Sequence, residues 1–283
     1  MTPQAWKKVH QGLLALLTLL VVLVTIFPIV WMVIASLQGN TQLLTGNISL
    51  AAPRWQNYSQ MWENVRFGHF MRNSLIICGL TTLFAGTFAT LAGYAMARFR
   101  FKGSDAYGMA IIGTQMIPGI MFLLPIYFLF LWIKTTFNLP MVNTFHGMVI
   151  IYTAFFTPMS IWIMRGFFAT IPKELEESAL IDGCTPFSAF LRVILPLSAP
   201  GLIATSVYIF LTAWDELLFA WVMTTSADVA TIPIGIRLYV GQFTNRYDLL
   251  MAAATVTTLP VLITFFATQK WFISGMTAGS VKG

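Results

Sequence analysis

Charged side chains are scarce in this sequence. Of its 283 residues only 9% are Asp, Glu, Lys or Arg, whereas 57% are hydrophobic. A soluble domain averages about a quarter charged residues, so this chain lacks the charge needed to cover itself with a water-compatible surface. The scarcity excludes an ordinary soluble globular protein and predicts that lipid is most of the chain's solvent.

Long uncharged stretches make the membrane prediction concrete. A helix needs about 20 apolar residues to cross the hydrocarbon core. Five stretches without Lys, Arg, Asp or Glu are long enough, and they are centred near Val22, Ala85, Leu123, Ala154 and Val261. A sixth, roughly 201–223, is apolar except for Asp215 and Glu216. The first stretch exceeds the apolar region of about 7–15 residues found in a cleaved signal peptide, so we expect six membrane helices.

The basic residues predict the orientation of these helices. With six spans, both termini lie on one side of the membrane. That side holds ten basic residues: Lys7, Lys8, Arg98, Arg100, Lys102, Arg165, Lys173, Arg192, Lys270 and Lys282. The other side holds six: Arg54, Arg66, Arg72, Lys134, Arg237 and Arg246. Cytoplasmic loops carry an excess of Lys and Arg, so we expect both termini in the cytoplasm, and the net charge of +6 indicates topology rather than nucleic-acid binding.

Motifs that carry chemistry are also missing. The two cysteines, Cys78 and Cys184, are predicted at opposite membrane faces, and neither has a metal-ligand neighbour at a useful spacing. No Gly-Lys dipeptide occurs, which excludes a phosphate-binding P-loop, and neither HExxH nor GxSxG is present. We therefore predict no catalytic residue, no metal site, no cofactor bound by this chain and no enzymatic activity.

One polar segment interrupts the apolar sequence. This polar segment, KELEESALIDGCTPFSAFLRVILP (residues 173–196), holds four of the ten acidic residues. Three of them, Glu174, Glu176 and Glu177, lie in or near the first turn of a predicted helix, where the helix dipole stabilises negative charge. Gly183 favours a stop, and Thr185 followed by Pro186 predicts the start of a second helix. The apolar positions of that helix have amphipathic spacing, and they are Phe187, Phe190, Leu191 and Ile194.

The residues of the polar segment leave two interpretations open. A helix of about ten residues is marginal alone in water, so a partner protein covering it is one interpretation. The other is a solvated cytoplasmic loop followed by an interfacial helix, which Pro196 would end.

A family resemblance favours the first interpretation. The run Glu177-Ser178-Ala179-Leu180-Ile181-Asp182-Gly183, followed by Pro186 and then by Ile194-Leu195-Pro196, resembles the signature loop of membrane subunits of binding-protein-dependent ABC importers. Ser178 departs from the usual Ala of that loop. The stretch GYAMARFRFKG resembles the corresponding helix end in sugar-type permeases, and the tail QKWFISGMTAGSVKG (269–283) resembles that of the maltose-importer type. The resemblance runs from about residue 72 to the end of the chain.

The resemblance implies roles for particular residues. In that family the loop is a coupling helix that sits in a cleft of a cytoplasmic ATPase subunit. The implied coupling residues are Glu176, Glu177, Ala179, Asp182, Gly183 and Pro196. The implied ATPase-docking residues of the tail are Thr277, Gly279, Lys282 and Gly283, with a frayed terminus as the alternative.

The expected architecture is an all-α integral membrane protein with six transmembrane helices and a cytoplasmic coupling helix between helices four and five. We expect a tail and first helix at 1–37, an outer loop at 38–71, a permease core at 72–268 with its coupling loop at 169–198, and a cytoplasmic tail at 269–283. The resemblance implies a multi-pass subunit of the bacterial inner membrane. The implied partners are a homologous second membrane subunit, two ATPase subunits that hold ATP and Mg²⁺, an extracytoplasmic solute-binding protein and a sugar.

The remaining functional hypothesis concerns two adjacent carboxylates in the predicted span at 201–223, which is the fifth in chain order. Charged groups at membrane depth are expensive and commonly mark a pathway, so Trp214, Asp215 and Glu216 are candidate substrate-path residues. An internal salt bridge or hydrogen-bond anchor, and an end of the span close to Glu216, are the alternatives. A stand-alone secondary transporter, with these carboxylates carrying protons, is the second functional hypothesis, although no internal inverted repeat supports it.

Overall fold

The architecture is that of a computed structural model, in which residues 3–99, 102–241 and 245–280 are described. Among these residues there is no strand, and the one β-type contact is an isolated bridge between Val240 and Asn245. The helices are α1 Pro3–Ser36, α2 Asn40–Thr45, α3 Gln56–Asn64, α4 Phe67–Arg98, α5 Ser104–Gln115, α6 Ile120–Phe137, α7 Phe145–Thr170, α8 Glu174–Ile181, α9 Pro186–Ala189, a π-helical turn Phe190–Ile194, α10 Leu195–Leu197, α11 Ala199–Trp214, α12 Leu218–Met223, α13 Ile232–Arg237 and α14 Tyr247–Ser280.

The long helices confirm the all-α membrane fold. Five of the described helices are long and apolar enough to cross a bilayer: His10–Ser36, Phe67–Arg98, Ile120–Phe137, Phe145–Thr170 and Tyr247–Trp271. A helix pair bent by 74°, Pro186–Leu197 with Ala199–Trp214, brings the number to six if the pair counts as one span. The five uncharged stretches of the sequence therefore each contain one long helix.

The fifth predicted span differs from the expected continuous helix over 201–223. Helix α11 ends at Trp214, Asp215 occupies its C-terminal cap, and α12 begins only at Leu218. The prediction of one helix carrying both carboxylates is wrong. A carboxylate within an apolar helix is costly, and both carboxylates lie instead in the break between α11 and α12. There the carboxylate of Glu216 accepts the N–H groups of Phe219 and Ala220.

The third predicted span is also divided. Pro118 and Gly119 separate α5 from α6, because the proline ring lacks an N–H and disfavours helical backbone in the preceding residue. Pro125 and Pro158 lie inside α6 and α7, as expected of membrane helices whose neighbours satisfy the freed backbone groups.

The chain divides into two compact units. One comprises Met1–Phe67 with Ile236–Thr258, and the other comprises Gly68–Gly235 with Leu259–Gly283. In the first unit every described side chain from residue 10 to residue 31, all on α1, is exposed. This helix therefore buries almost none of its apolar surface against the chain's own residues.

Buried polar contacts hold the first unit together beyond α1. The side-chain amide of Asn57 donates to the backbone carbonyls of Ser36 and Gln38, at 2.8 Å each. The buried hydroxyl of Tyr239 donates to the carbonyl of Met61. These contacts join the end of α1, the helix α3 and the segment that precedes α14.

The second unit depends on close approach of α4 to α7. A Cβ atom added at Gly93 would lie 2.8 Å from Cβ of Met164, 3.0 Å from the backbone nitrogen of Arg165 and 3.2 Å from the carbonyl oxygen of Ile161. Small residues let membrane helices approach closely enough for backbone contact. Gly93 therefore allows α4 and α7 to pack backbone against backbone. This contact lies near the ends of both helices that are next to the polar segment.

We expect Gly93→Ala to destabilise the protein. Overpacking against backbone atoms costs about 1–3 kcal/mol, whereas Ala gains only about 1 kcal/mol in helix propensity over Gly. The measurement is the thermal unfolding midpoint in detergent. Gly79→Ala is the matched control on the same helix, because nothing lies within 4 Å of its added Cβ. A midpoint for Gly93→Ala at or above that of Gly79→Ala would contradict the close approach.

Candidate functional site

The first half of the polar segment is a short helix with a defined stop. Helix α8 has three acidic residues in its first turn, as expected. Gly183 has a positive φ of 88°, its N–H donates to the carbonyl of Leu180 at 3.1 Å, and the N–H of Cys184 donates to that of Ala179 at 3.0 Å. These two bonds form a Schellman cap, which requires left-handed backbone at the glycine. The predicted stop at Gly183 is confirmed.

The second half begins as predicted. The hydroxyl of Thr185 accepts the N–H of Ser188 at 3.2 Å, and Pro186 occupies the first helical turn of α9. After one turn the helix widens into the π-helical turn, in which the N–H of Leu195 bonds to the carbonyl of Phe190. Pro196 has no N–H to offer the carbonyl four residues before it, and a widened turn before such a residue accommodates the missing bond.

The four predicted apolar residues of the second half differ in burial. Phe190 and Ile194 are 4% and 0% exposed, whereas Phe187 and Leu191 are exposed. Of the four apolar residues predicted at amphipathic spacing, two therefore pack in the helical bundle and two lie on its surface. The helix ends one residue after the predicted Pro196, because α10 runs to Leu197.

Aromatic packing fixes the polar segment to the ends of α4 and α7. The ring centroid of Phe190 lies 4.6 Å from that of Tyr94 on α4, and the ring centroid of Tyr94 lies 5.5 Å from that of Phe168 on α7. These three residues, with Met164 and Ile194, belong to one buried cluster. Phe190 and Ile194 thus anchor the second half of the polar segment in the core of the second unit.

A buried ion pair fixes the first half. Nε of Arg98, the last residue of α4, lies 3.1 Å from Oε2 of Glu176, with 5% and 16% of the two side chains exposed. The hydroxyl of Tyr94 donates to Oε1 of Glu176 at 2.5 Å, and Nη2 of Arg98 donates to the carbonyl of Ile171 at 3.0 Å. Arg98 therefore joins the end of α7 and the helix α8 to the end of α4.

The predicted coupling residues differ in what they contact. Ala179, Gly183 and Pro196 shape the segment, and Ala179 is buried. Glu177 and Asp182 are exposed, whereas Glu176 faces inward. In the sequence, Tyr94 and Arg98 stand in the stretch GYAMARFRFKG, where Arg98 indicates membrane topology, but nothing in the sequence pairs either residue with one about 80 positions away.

The predicted docking residues of the C-terminal tail are only partly covered by the structure. Thr277 and Gly279 fall in the last turns of α14. Their side chains, together with Lys282 and Gly283 entirely, lie outside the described residues.

The two neighbouring carboxylates have different environments. Oε2 of Glu216 accepts the hydroxyl of Tyr152 at 2.7 Å and the N–H of Ala220 at 3.1 Å. Its Oε1 accepts the N–H of Phe219 at 2.9 Å. Helix N-termini leave such N–H groups without helical partners, so Glu216 caps α12 and ties it to α7. Asp215, in contrast, is exposed.

The indole of Trp214 is an interior side chain in this chain. It is 3% exposed and stacks on Phe210 with ring centroids 5.3 Å apart. Of the three candidate substrate-path residues, Trp214 is buried, Glu216 is partly buried and Asp215 is exposed. No group of three or more His, Cys, Asp or Glu that could hold a metal ion occurs within the described ranges.

Comparison with known proteins places this arrangement in a family. Residues 89–278 match the model of the "binding-protein-dependent transport system inner membrane component" family. The chain is 33% identical over 274 residues to the trehalose/maltose transport system permease protein MalG of Thermococcus litoralis, with 96% of each chain covered. It is 34% identical to the diacetylchitobiose uptake system permease protein DasC of Streptomyces coelicolor, covering 91% of this chain and 92% of that one.

A solved structure has the same fold. A chain of a bacterial ABC transporter involved in the import of the acidic polysaccharide alginate superimposes with a TM-score of 0.80 at 16% identity, covering 96% of this chain and 99% of that one. The family match and the long apolar helices make this chain a multi-pass protein of the inner membrane. The chain belongs to the binding-protein-dependent transport system inner membrane components.

Proposed function

We propose that this chain is the membrane-spanning subunit of an ATP-driven importer for a carbohydrate, either a mono- or an oligosaccharide. Relatives at 33% and 34% identity carry the names of trehalose, maltose and diacetylchitobiose systems, which supports a sugar as solute. Because the sequence has no P-loop, ATP and Mg²⁺ belong to separate ATPase subunits. A second, homologous membrane subunit and an extracytoplasmic solute-binding protein complete the proposed complex.

The observation that carries the proposal is a projecting helix with an apolar outer surface. Helix α8 is anchored on its inner side by Glu176 and Ala179, yet Ile181 at its end is 87% exposed, and Phe187 on the neighbouring α9 is 66% exposed. Exposed apolar side chains flanked by the carboxylates of Glu177 and Asp182 suit a protein interface with an apolar centre and a polar rim. The occupant of that interface is the cytoplasmic ATPase, and the polar segment is the coupling helix.

The proposed mechanism is mechanical. Closure of the ATPase dimer on ATP draws the coupling helices of the two membrane subunits together. The helical bundles then rock as rigid bodies and switch the cavity between them from inward to outward facing. The solute-binding protein releases sugar into the open cavity, and ATP hydrolysis resets the complex. No residue of this chain makes or breaks a bond in this cycle.

ATP dependence separates the proposal from a stand-alone secondary transporter. In proteoliposomes holding the complete complex and the binding protein, we expect labelled-sugar uptake to require ATP and to survive an ionophore that collapses ion gradients. Uptake by the purified chain alone, driven by an ion gradient, would support the secondary transporter instead.

A panel of sugars tested by thermal shift on the binding protein identifies the solute.

We expect Glu177→Lys to release the ATPase or to reduce uptake by at least about tenfold. A like-charge contact across an interface costs several kcal/mol, and each step of about 1.4 kcal/mol is a factor of ten. The measurements are co-purification of the ATPase and sugar uptake. Glu63→Lys, the same charge reversal at an exposed residue of the predicted outer loop, should behave as wild type. Normal attachment and uptake in Glu177→Lys would refute the coupling assignment.

We further propose that Asp215 lies on the substrate path. Asp215→Ala should alter the apparent KM or rate of uptake while leaving assembly and the thermal midpoint unchanged, because the side chain is exposed. Glu216→Ala is the contrasting variant: loss of the cap of α12 costs about 1 kcal/mol and should lower the midpoint. Wild-type uptake by Asp215→Ala, measured across sugar concentrations, would remove Asp215 from the path.

A further inference from the structure

The inward-facing carboxylate of α8 has no part in the outer surface that the ATPase would cover. Within the polar segment, Glu174, Glu177 and Asp182 are exposed, whereas the side chain of Glu176 is only 16% exposed and is held by Arg98 and Tyr94. A buried charge is retained only with a partner, and removing one partner leaves the other uncompensated. The pair therefore ties α8 firmly to α4.

Arg98 also joins a third helix. Its Nη2 donates to the carbonyl of Ile171, the C-terminal cap of α7. One guanidinium thus holds the end of α4, the end of α7 and the side of α8. Its planar fork of donors allows several simultaneous contacts of this kind, and the backbone contact at Gly93 adds a second rigid joint between α4 and α7.

The far end of α4 is also attached. The amide of Asn73 donates to the carbonyls of Ala227 and Ala230, at 3.1 and 3.0 Å. The hydroxyl of Ser74 accepts the N–H of Ile232 at 2.8 Å. Helix α4 has 32 residues, about 48 Å at 1.5 Å per residue. It is therefore a rod bound at one end to α8 and at the other to the segment between α12 and α13.

We propose that Arg98, Glu176 and Tyr94 form a transmission latch, through which displacement of α8 moves α4 and α7 as one body and so reaches the opposite end of α4. The proposal rests on the proposed coupling function of α8. Glu176 and Arg98 are positioning residues of the transport cycle: they carry motion inward, whereas Glu177, Ile181 and Phe187 face the partner.

The test measures sugar transported per ATP hydrolysed in proteoliposomes holding the complete complex. Glu176→Gln removes the charge but keeps the size and an acceptor for Tyr94. We expect this variant to retain the ATPase and to hydrolyse ATP, with at least a fivefold lower ratio of sugar to ATP. The swapped pair Arg98→Glu with Glu176→Arg restores the ion pair but not the bonds from Arg98 to Ile171 and from Tyr94 to Glu176, so it should recover a measurable part of the lost ratio. Glu174→Gln, an exposed residue of the same helix, is the control and should keep the wild-type ratio.

Tyr94→Phe provides a milder variant that keeps the ion pair and the aromatic packing. It should lower the same ratio by about twofold with normal yield, so the latch remains testable if Glu176→Gln folds poorly. A wild-type ratio in both Glu176→Gln and Tyr94→Phe overturns the latch. The latch is also overturned if each variant loses uptake only in proportion to the ATPase that it fails to retain and the swapped pair recovers nothing.

Two outcomes distinguish failure of the latch from failure of the coupling function. If Glu177→Lys disrupts uptake while Glu176→Gln keeps the wild-type ratio, α8 couples to the ATPase but motion does not pass through Arg98, and the latch is wrong. If Glu177→Lys transports normally and uptake does not need ATP, the proposed function fails, and the latch fails with it.

Discussion

The packing of the polar segment onto the ends of α4 and α7 is the interaction on which the functional surface depends. An eight-residue helix such as α8 does not persist alone in water. It persists here because Phe190 and Ile194 are buried beside Tyr94 and Phe168, and because Glu176 meets Arg98. Apolar burial fixes the second half of the segment and a buried ion pair fixes the first, so the outer residues are displayed in a defined orientation.

Two irregular stretches of backbone in the second unit are each compensated by a specific feature. The π-helical turn before Pro196 accommodates the hydrogen bond that proline cannot make. The break after Trp214 leaves the first N–H groups of α12 without helical partners, and the carboxylate of Glu216 accepts two of them. In a membrane protein each backbone group must be satisfied internally, so these compensations allow helices to bend or stop without loss of stability.

The small number of charged residues makes each buried one informative. Arg98 holds the carboxylate of Glu176, and Tyr152 holds the carboxylate of Glu216. Each of these contacts joins elements distant in sequence. The outward carboxylates at 177, 182 and 215 are exposed instead. This division separates carboxylates that hold the protein together from those available to a partner protein or a solute.

The sequence by itself determined that the chain lies largely in lipid, that its fold is helical, and where the short helices of the polar segment stop and start. Uncharged stretches predicted the long helices because lipid tolerates few charges, and Gly183, Thr185 and Pro186 predicted the cap and the second start because those are local backbone effects. Only the tertiary structure decided the directions of Glu176 and Glu216, the burial of Trp214, the π-helical turn and the break at Asp215. The directions of Glu176 and Glu216 depend on contacts between residues some 60 to 80 positions apart, Arg98 with Glu176 and Tyr152 with Glu216, and helical periodicity carries no information about which distant side chain will lie opposite.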